Sequence, residues 1–237
     1  MNNRSSSTAA LAATRDFITS LSDSWCKIRQ AEIERNRKEN HHYNPLRSIT
    51  IKETDHSRIL GELLKPDGSH GQGRLFLDSF LRRIGIDPVE GKWIVTVEQD
   101  RIDILLRRDE PASVVIIENK SCNASDQPGQ LYRYWFRQIH QRHPGLRYDY
   151  LDLEKRFRVI YLPPGEYARP GERSVVRPPD AAYSACKHAR LPESILDCRS
   201  FEADVAEWLN ELMESETGLS ERLRIFLKLY TEIWRLR

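Results

Sequence analysis

"VVIIENK", residues 114–120, sets four aliphatic residues in front of Glu118, Asn119 and Lys120. The aliphatic run reads as a buried strand, yet it closes on an acid and an amine. Charged side chains are expensive to remove from water unless they are paired or bind something charged. In a strand, positions i and i+2 share a face, so Glu118 and Lys120 point the same way. Upstream, RIDILLR (101–107) is a second β-rich run, and DEPA (109–112) is a turn between the two. Centring that turn between residues 110 and 111 pairs positions that sum to 221, which sets Asp103 opposite Glu118. Opposite residues share a face, with β-carbons roughly 5 Å apart.

Two ionised carboxylates that close repel each other, raising one pKa unless a cation lies between them. Oxygen ligands so placed suit a hard divalent ion, Mg²⁺ or Mn²⁺. Such an ion can activate water towards phosphorus, with Lys120 orienting or deprotonating that water and offsetting phosphate charge. The other reading is a cross-strand ion cluster that only polarises a strand end. The hairpin alone leaves both open.

Working outward, WIVTVEQ (93–99) makes the hairpin a three-stranded meander, and RFRVIYLPPG (156–165) supplies a further strand stopped by prolines. QPGQLYRYWFRQIHQRHPG between them reads as a helix, with Pro128 near its first turn and Gly145 past its end. Before the meander, ETDHSRILGELL carries the stripe Ile59, Leu60, Leu63, Leu64, with Thr54 and Asp55 as cap candidates, and RLFLDSFLRRIG is a second amphipathic helix. Residues 1–12 read as a frayed tail. A helix from about Thr14 follows, with Phe17, Ile18, Leu21, Trp25 and Ile28 at helical spacing, continuing into the charged run AEIERNRKENHH. Residues 163–200 read as mostly irregular, and two helices close the chain. Clustered strands with helices to either side predict an α/β sandwich around a mixed sheet, in the order αβββαβ.

Composition narrows the class. The chain has 237 residues, 39% hydrophobic and 30% charged, enough for one core. Its apolar runs are too short to cross a bilayer, and the N-terminus lacks a secretory signal, so a cytoplasmic protein is expected. Thirty-seven basic against 35 acidic residues give +2, which neither demands nor excludes a polyanionic partner. Cys26, Cys122, Cys186 and Cys198 read as reduced thiols. Cys186, His188 and Cys198 match no familiar zinc spacing and lack a fourth ligand.

Asp103, fourteen intervening residues, then Glu118-Asn119-Lys120, on consecutive strands, resembles the signature of the PD-(D/E)XK nuclease superfamily. QLYRY places Gln130 and Tyr134 where RecB-like members carry a Gln-hydrophobic-x-x-Tyr motif, and the two share one helical face. ETDHSRILGELLKPDGSHGQGRLFLDSFL and YLPPG resemble one bacterial branch of these nucleases, so the likeness spans about residues 44–165. The proline of the nominal motif is missing, since Ile102 precedes Asp103.

The resemblance implies a restriction-endonuclease-like fold, with residues 1–43 as a tail and helix, 44–165 as the nuclease core, and 166–237 as an irregular segment and helices packing on it, one domain overall. It implies metal-dependent hydrolysis of phosphodiesters, most often in DNA, with RNA left open and phage defence or repair as candidate settings. Asp103, Glu118, Lys120 and Gln130 would be catalytic, with Glu53, Asp103 and Glu118 as metal ligands. His56, Tyr134 and the loop residue His70 are lesser candidates. Arg47, Lys52, Arg101, Arg133 and Arg137 are candidates for phosphate contacts. The alternative is an inactive scaffold or nucleic-acid-binding subunit; degenerate members lose one of the three signature positions, and all three stand here. Homodimerisation or a partner protein stays open.

Overall fold

The computed structural model describes residues 3–40, 43–88, 91–148, 156–166 and 168–234, of which 3–12 are described by backbone alone. The chain divides into two compact units, residues 1–45 and 46–237. The first contains one long helix, α1 (Asn3–Glu39). The expected tail is therefore helical from Asn3: the Ala9–Ala13 run is made of the strongest helix formers and carries the helix towards the N-terminus. The stripe of Phe17, Ile18, Leu21, Trp25 and Ile28 is exposed. His41 and His42, which end the charged run, lie outside the described residues, as do residues 235–237, the end of the last helix expected from the sequence.

In the second unit a five-stranded sheet runs in the order β1 (Trp93–Gln99), β2 (Ile102–Arg108), β3 (Ser113–Asn119), β4 (Phe157–Leu162), β5 (Leu196–Cys198). The first three strands form an antiparallel meander, and β4 and β5 add in parallel. β3 is the central strand and every residue of it is buried, which is why its sequence is apolar on both faces rather than alternating.

Helices cover both faces. α2 (Glu53–Leu64), α3 (Leu75–Arg83) and the C-terminal helices α5 (Ala206–Ser215) and α6 (Glu221–Glu232) pack on one face against Ile104, Leu106, Val115 and Ile117. α4 (Gln130–Trp135) packs on the other against Leu105, Val114 and Ile116. The result is the α/β fold with a mixed sheet flanked by helices that the order of elements predicted.

Local departures have physical reasons. α2 starts one residue before the expected caps: Lys52 is the N-cap, its N–H donating to Asp55 Oδ2 at 3.0 Å, so Glu53 opens the helix. α4 starts from Gly129 in the left-handed region (φ 64°), with Pro128 just before this cap and so near the first turn as expected, and passes into a π-helical turn at Phe136–His140. A side chain at Gly129 would meet Pro178, so the start of α4 needs this glycine twice over. The segment 163–200 is mostly irregular, as expected, but holds a helical turn (Glu172–Val175) and β5, an edge strand of three residues, too short to show a period.

Candidate active site

β3 pairs with β2 so that Ile104 meets Ile117 and Leu105 meets Ile116, the predicted register. Continuing it one step sets Asp103 across from Glu118, just beyond the last ladder pair. There the Asn119 N–H donates to Asp103 Oδ2 at 2.7 Å. Asp103 shares a face with Leu105, and Glu118 with Ile116, so both carboxyls emerge on the α4 side of the sheet.

On that side Glu118 is enclosed by polar partners. Its Oε1 takes the Lys120 ammonium at 2.8 Å and the Gln130 amide at 2.7 Å. Gln130 Nε2 also reaches the Tyr134 hydroxyl at 3.2 Å, and its Oε1 lies 3.5 Å from Lys120 Nζ. Tyr134 donates to the Arg101 carbonyl, which fixes the β1–β2 turn. In that turn Asp100 and Arg101 both have positive φ, so the backbone is bent sharply beside Asp103. Asp126 Oδ1 stands 3.7 Å from Lys120, with its Oδ2 held by the Gly171 N–H.

Electrostatics follow from this enclosure. Burial pushes the Asp103 carboxyl up to about 6, against the Asn119 hydrogen bond and the Lys120 charge. Burial and the neighbouring Asp103 push Glu118 up to about 8. Lys120 is 5% exposed; burial alone would lower its pKa, but the Glu118 hydrogen bond and charge outweigh it, so the ammonium stays protonated. Glu118 Oε2 is buried, and no N–H group reaches it.

Glu53 approaches from α2, on the opposite face. Its Oε1 accepts from the N–H groups of Cys122 (3.1 Å) and Ala124 (3.3 Å), in the loop that follows β3, and its charge acts on Asp103 and Lys120. Among the described residues no group of three or more His, Cys, Asp or Glu side chains is already gathered for a metal ion. The fit to one rests on the Asp103–Glu118 pair, with its bare buried oxygen, and on Glu53 at the margin.

His56 is not part of this cluster. Its imidazole is fully buried against Phe201 and Trp234, with Nδ1 3.0 Å from the Tyr230 hydroxyl. It lies three residues after Glu53, on the side of α2 that faces the C-terminal helices. His70 serves its loop: Nδ1 accepts from the Gln72 N–H, so Nε2 is the nitrogen that donates to the Lys65 carbonyl. Of the basic candidates, Lys52 and Arg101 are exposed beside the acids. Arg47 donates to the Glu232 carbonyl, Arg133 to the Pro128 carbonyl, and Arg137 reaches the Tyr183 hydroxyl.

Two residues had no role in the sequence reading. Asn119 stands between Glu118 and Lys120, where the period of a strand points it away from both. It does face away, but its side chain is buried and hydrogen-bonded to α2. Asp126 lies in a loop with no periodicity to mark it.

A mixed sheet with helices on both faces, in which Glu118 at the end of the central strand lies across from Asp103 of β2 and next to Lys120, is consistent with a restriction-endonuclease-like fold. The family model of the PD-(D/E)XK nuclease superfamily matches residues 43–232, and the chain belongs to that family. No curated protein and no solved structure matches it. Among the described residues no helix is long and apolar enough to cross a membrane.

Proposed function

We propose that the protein is a divalent-metal-dependent nuclease that hydrolyses phosphodiester bonds, with DNA as the substrate to test first and Mg²⁺ or Mn²⁺ as the ion. The observation that carries this reading is the Asp103–Glu118 pair: a half-buried and a buried carboxyl on one face, both pushed towards protonation, the second with an oxygen that no N–H group reaches. A buried carboxylate pair of this kind is relieved by a proton or by a cation. Asp103 and Glu118 would hold the ion, with Glu53 as the third acid. A divalent ion there supplies Lewis acidity towards a phosphoryl oxygen and a lowered pKa for water.

The remaining roles follow from the side chains. Lys120, kept protonated, donates to the attacking water or to a phosphate oxygen and offsets the charge that develops as the P–O bond breaks. Gln130 holds Glu118 and keeps the ammonium and carboxylate in register. Tyr134 locks the turn that carries Arg101, and Lys52 and Arg101 offer cations to the backbone phosphates. Residues 166–237, whose side chains pack on both faces of the sheet and which carry α5 and α6, belong to the same nuclease domain in this reading. Cytoplasmic defence against foreign DNA, or repair, is the setting proposed.

The test incubates the purified protein with plasmid, linear and single-stranded DNA and with RNA, with Mg²⁺ or Mn²⁺ and with chelator. Cleavage that requires the metal and disappears in Asp103→Ala and Lys120→Ala supports the reading. Cleavage that survives either substitution, or chelator, overturns it.

A further inference from the structure

Asn119 occupies the position between the two charged residues of E-N-K, and its side chain is 2% exposed on the α2 face of the sheet. Its amide is saturated. Nδ2 donates to the Glu53 carbonyl at 2.7 Å and to Ser57 Oγ at 2.8 Å, and Oδ1 accepts from the Ser121 N–H at 2.8 Å. The carbonyl can only accept and the N–H can only donate, so these neighbours fix which end of the amide is which. Ser57 Oγ in turn donates to the same Glu53 carbonyl at 3.1 Å, which leaves its lone pairs for Asn119. Meanwhile the Asn119 main-chain N–H holds Asp103.

One residue thus touches the elements that carry all three candidate metal ligands. It sits next to Glu118 in β3, binds Asp103 of β2 through its backbone, and binds the first turn of α2, where Glu53 begins, through its side chain. The loop after Asn119 then supplies the two N–H groups that hold the Glu53 carboxylate. α2 lies across the sheet from α4, so nothing in β2 or β3 alone would bring Glu53 round the strand end to the pair.

We infer that Asn119 is a positioning residue: its side chain clamps the first turn of α2 to the end of β3 and so sets Glu53 against Asp103 and Glu118. This rests on the proposed metal site, and it predicts a dependence confined to one ligand. Removing the amide should abolish the contribution of Glu53 to ion binding while leaving the backbone bond to Asp103 in place. A general loosening of the fold would instead weaken binding by the same factor whether or not Glu53 is intact.

The experiment is a double-mutant cycle on Mn²⁺ affinity, read by calorimetric titration of the full chain with no nucleic acid present. Glu53→Gln keeps an oxygen for the Cys122 and Ala124 N–H groups and removes only the charge. Substituting residues that orient metal ligands weakens affinity by about 10–100-fold, so N119A and E53Q should each weaken binding by at least about tenfold. The double variant should bind no more weakly than the worse single one. If N119A is recovered unfolded, Ser57→Ala decides by the same cycle: it should weaken Mn²⁺ binding and shrink the effect of E53Q. Factors that multiply, or N119A and S57A affinities equal to wild type, overturn the inference and leave the proposed function standing. Wild-type protein that takes up no Mn²⁺ overturns both.

Discussion

The main-chain N–H of Asn119 donates to the Asp103 carboxylate at 2.7 Å, at the point where the β2–β3 ladder has run out. A half-buried acid so held is kept from swinging into solvent to escape the charge of Glu118. The strain between the two carboxyls therefore stays in the native state until a proton or an ion relieves it.

Asp103→Asn removes that like charge and keeps an acceptor for the Asn119 N–H. In chelator at pH 8 the variant should be more stable than wild type, by on the order of 1–3 kcal/mol, since one pKa unit is worth about 1.4 kcal/mol. For a chain of this size that is a rise of several degrees in Tm. Metal-dependent cleavage should be lost in the same variant. Thermal unfolding and a plasmid assay on one preparation check both halves.

Asp103 is raised to about 6 and Glu118 to about 8, above ordinary carboxyl values of 3.8 and 4.5. The folded chain therefore binds these protons more tightly than the unfolded one. The stability this pair lends is present in full below the unfolded values and is lost as pH rises through 6 towards 8. His140 and His143, lowered by burial from their ordinary value of 6.5, act in the opposite direction below it. Denaturant unfolding from pH 5 to 8.5 should show the wild-type curve falling relative to D103N. Mn²⁺ uptake should tighten over the same interval and release protons, measured by titration in buffers of different ionisation enthalpy.

His56→Ala should cost about 2–5 kcal/mol, the range for emptying a buried site of this size, because the ring fills the space between Phe201, Tyr230 and Trp234. Its Mn²⁺ affinity should stay within about twofold of wild type at a temperature where the variant is folded. A larger loss would return His56 to the list of ligands.

Gly61 lies in α2 where a β-carbon would come within 2.3 Å of Val97 Cγ2 on β1. In an exposed helix Gly→Ala stabilises by roughly 0.5–1 kcal/mol. Here overpacking against a β-branched side chain should reverse the sign, to a loss of about 1–3 kcal/mol. Chemical denaturation of G61A, V97A and the double variant checks this: the loss on Gly61→Ala should largely vanish once Val97 is Ala.

The core hairpin was legible because its signals are local. Aliphatic runs, a turn between them and the period of two place Asp103 opposite Glu118 by arithmetic alone, and Ile104 does meet Ile117. Gln130 and Tyr134 were legible as a pair because helical spacing aligns them, and both do reach the Glu118 side of the sheet. His56 misled because a helix start uncertain by one residue cannot say which face a side chain takes; with Lys52 as the cap, it faces the core. Asn119 and Asp126 were illegible for another reason. Their partners, Glu53 and Ser57 in one case and Gly171 in the other, lie 45 to 66 residues away. No spacing rule within one element reports such a contact. β5 escaped because three residues on a sheet edge carry no pattern.

The three acids come from α2, β2 and β3, and the first is 50 residues from the second in the chain. An unfolded chain therefore holds them too far apart to share an ion. On the proposed reading, a nascent or partly unfolded copy is inert towards nucleic acid, and hydrolytic capacity appears only when the sheet is complete. Occupancy of the site and completion of the fold then become one equilibrium, in which the free ion concentration of the surroundings bears on how much folded protein persists.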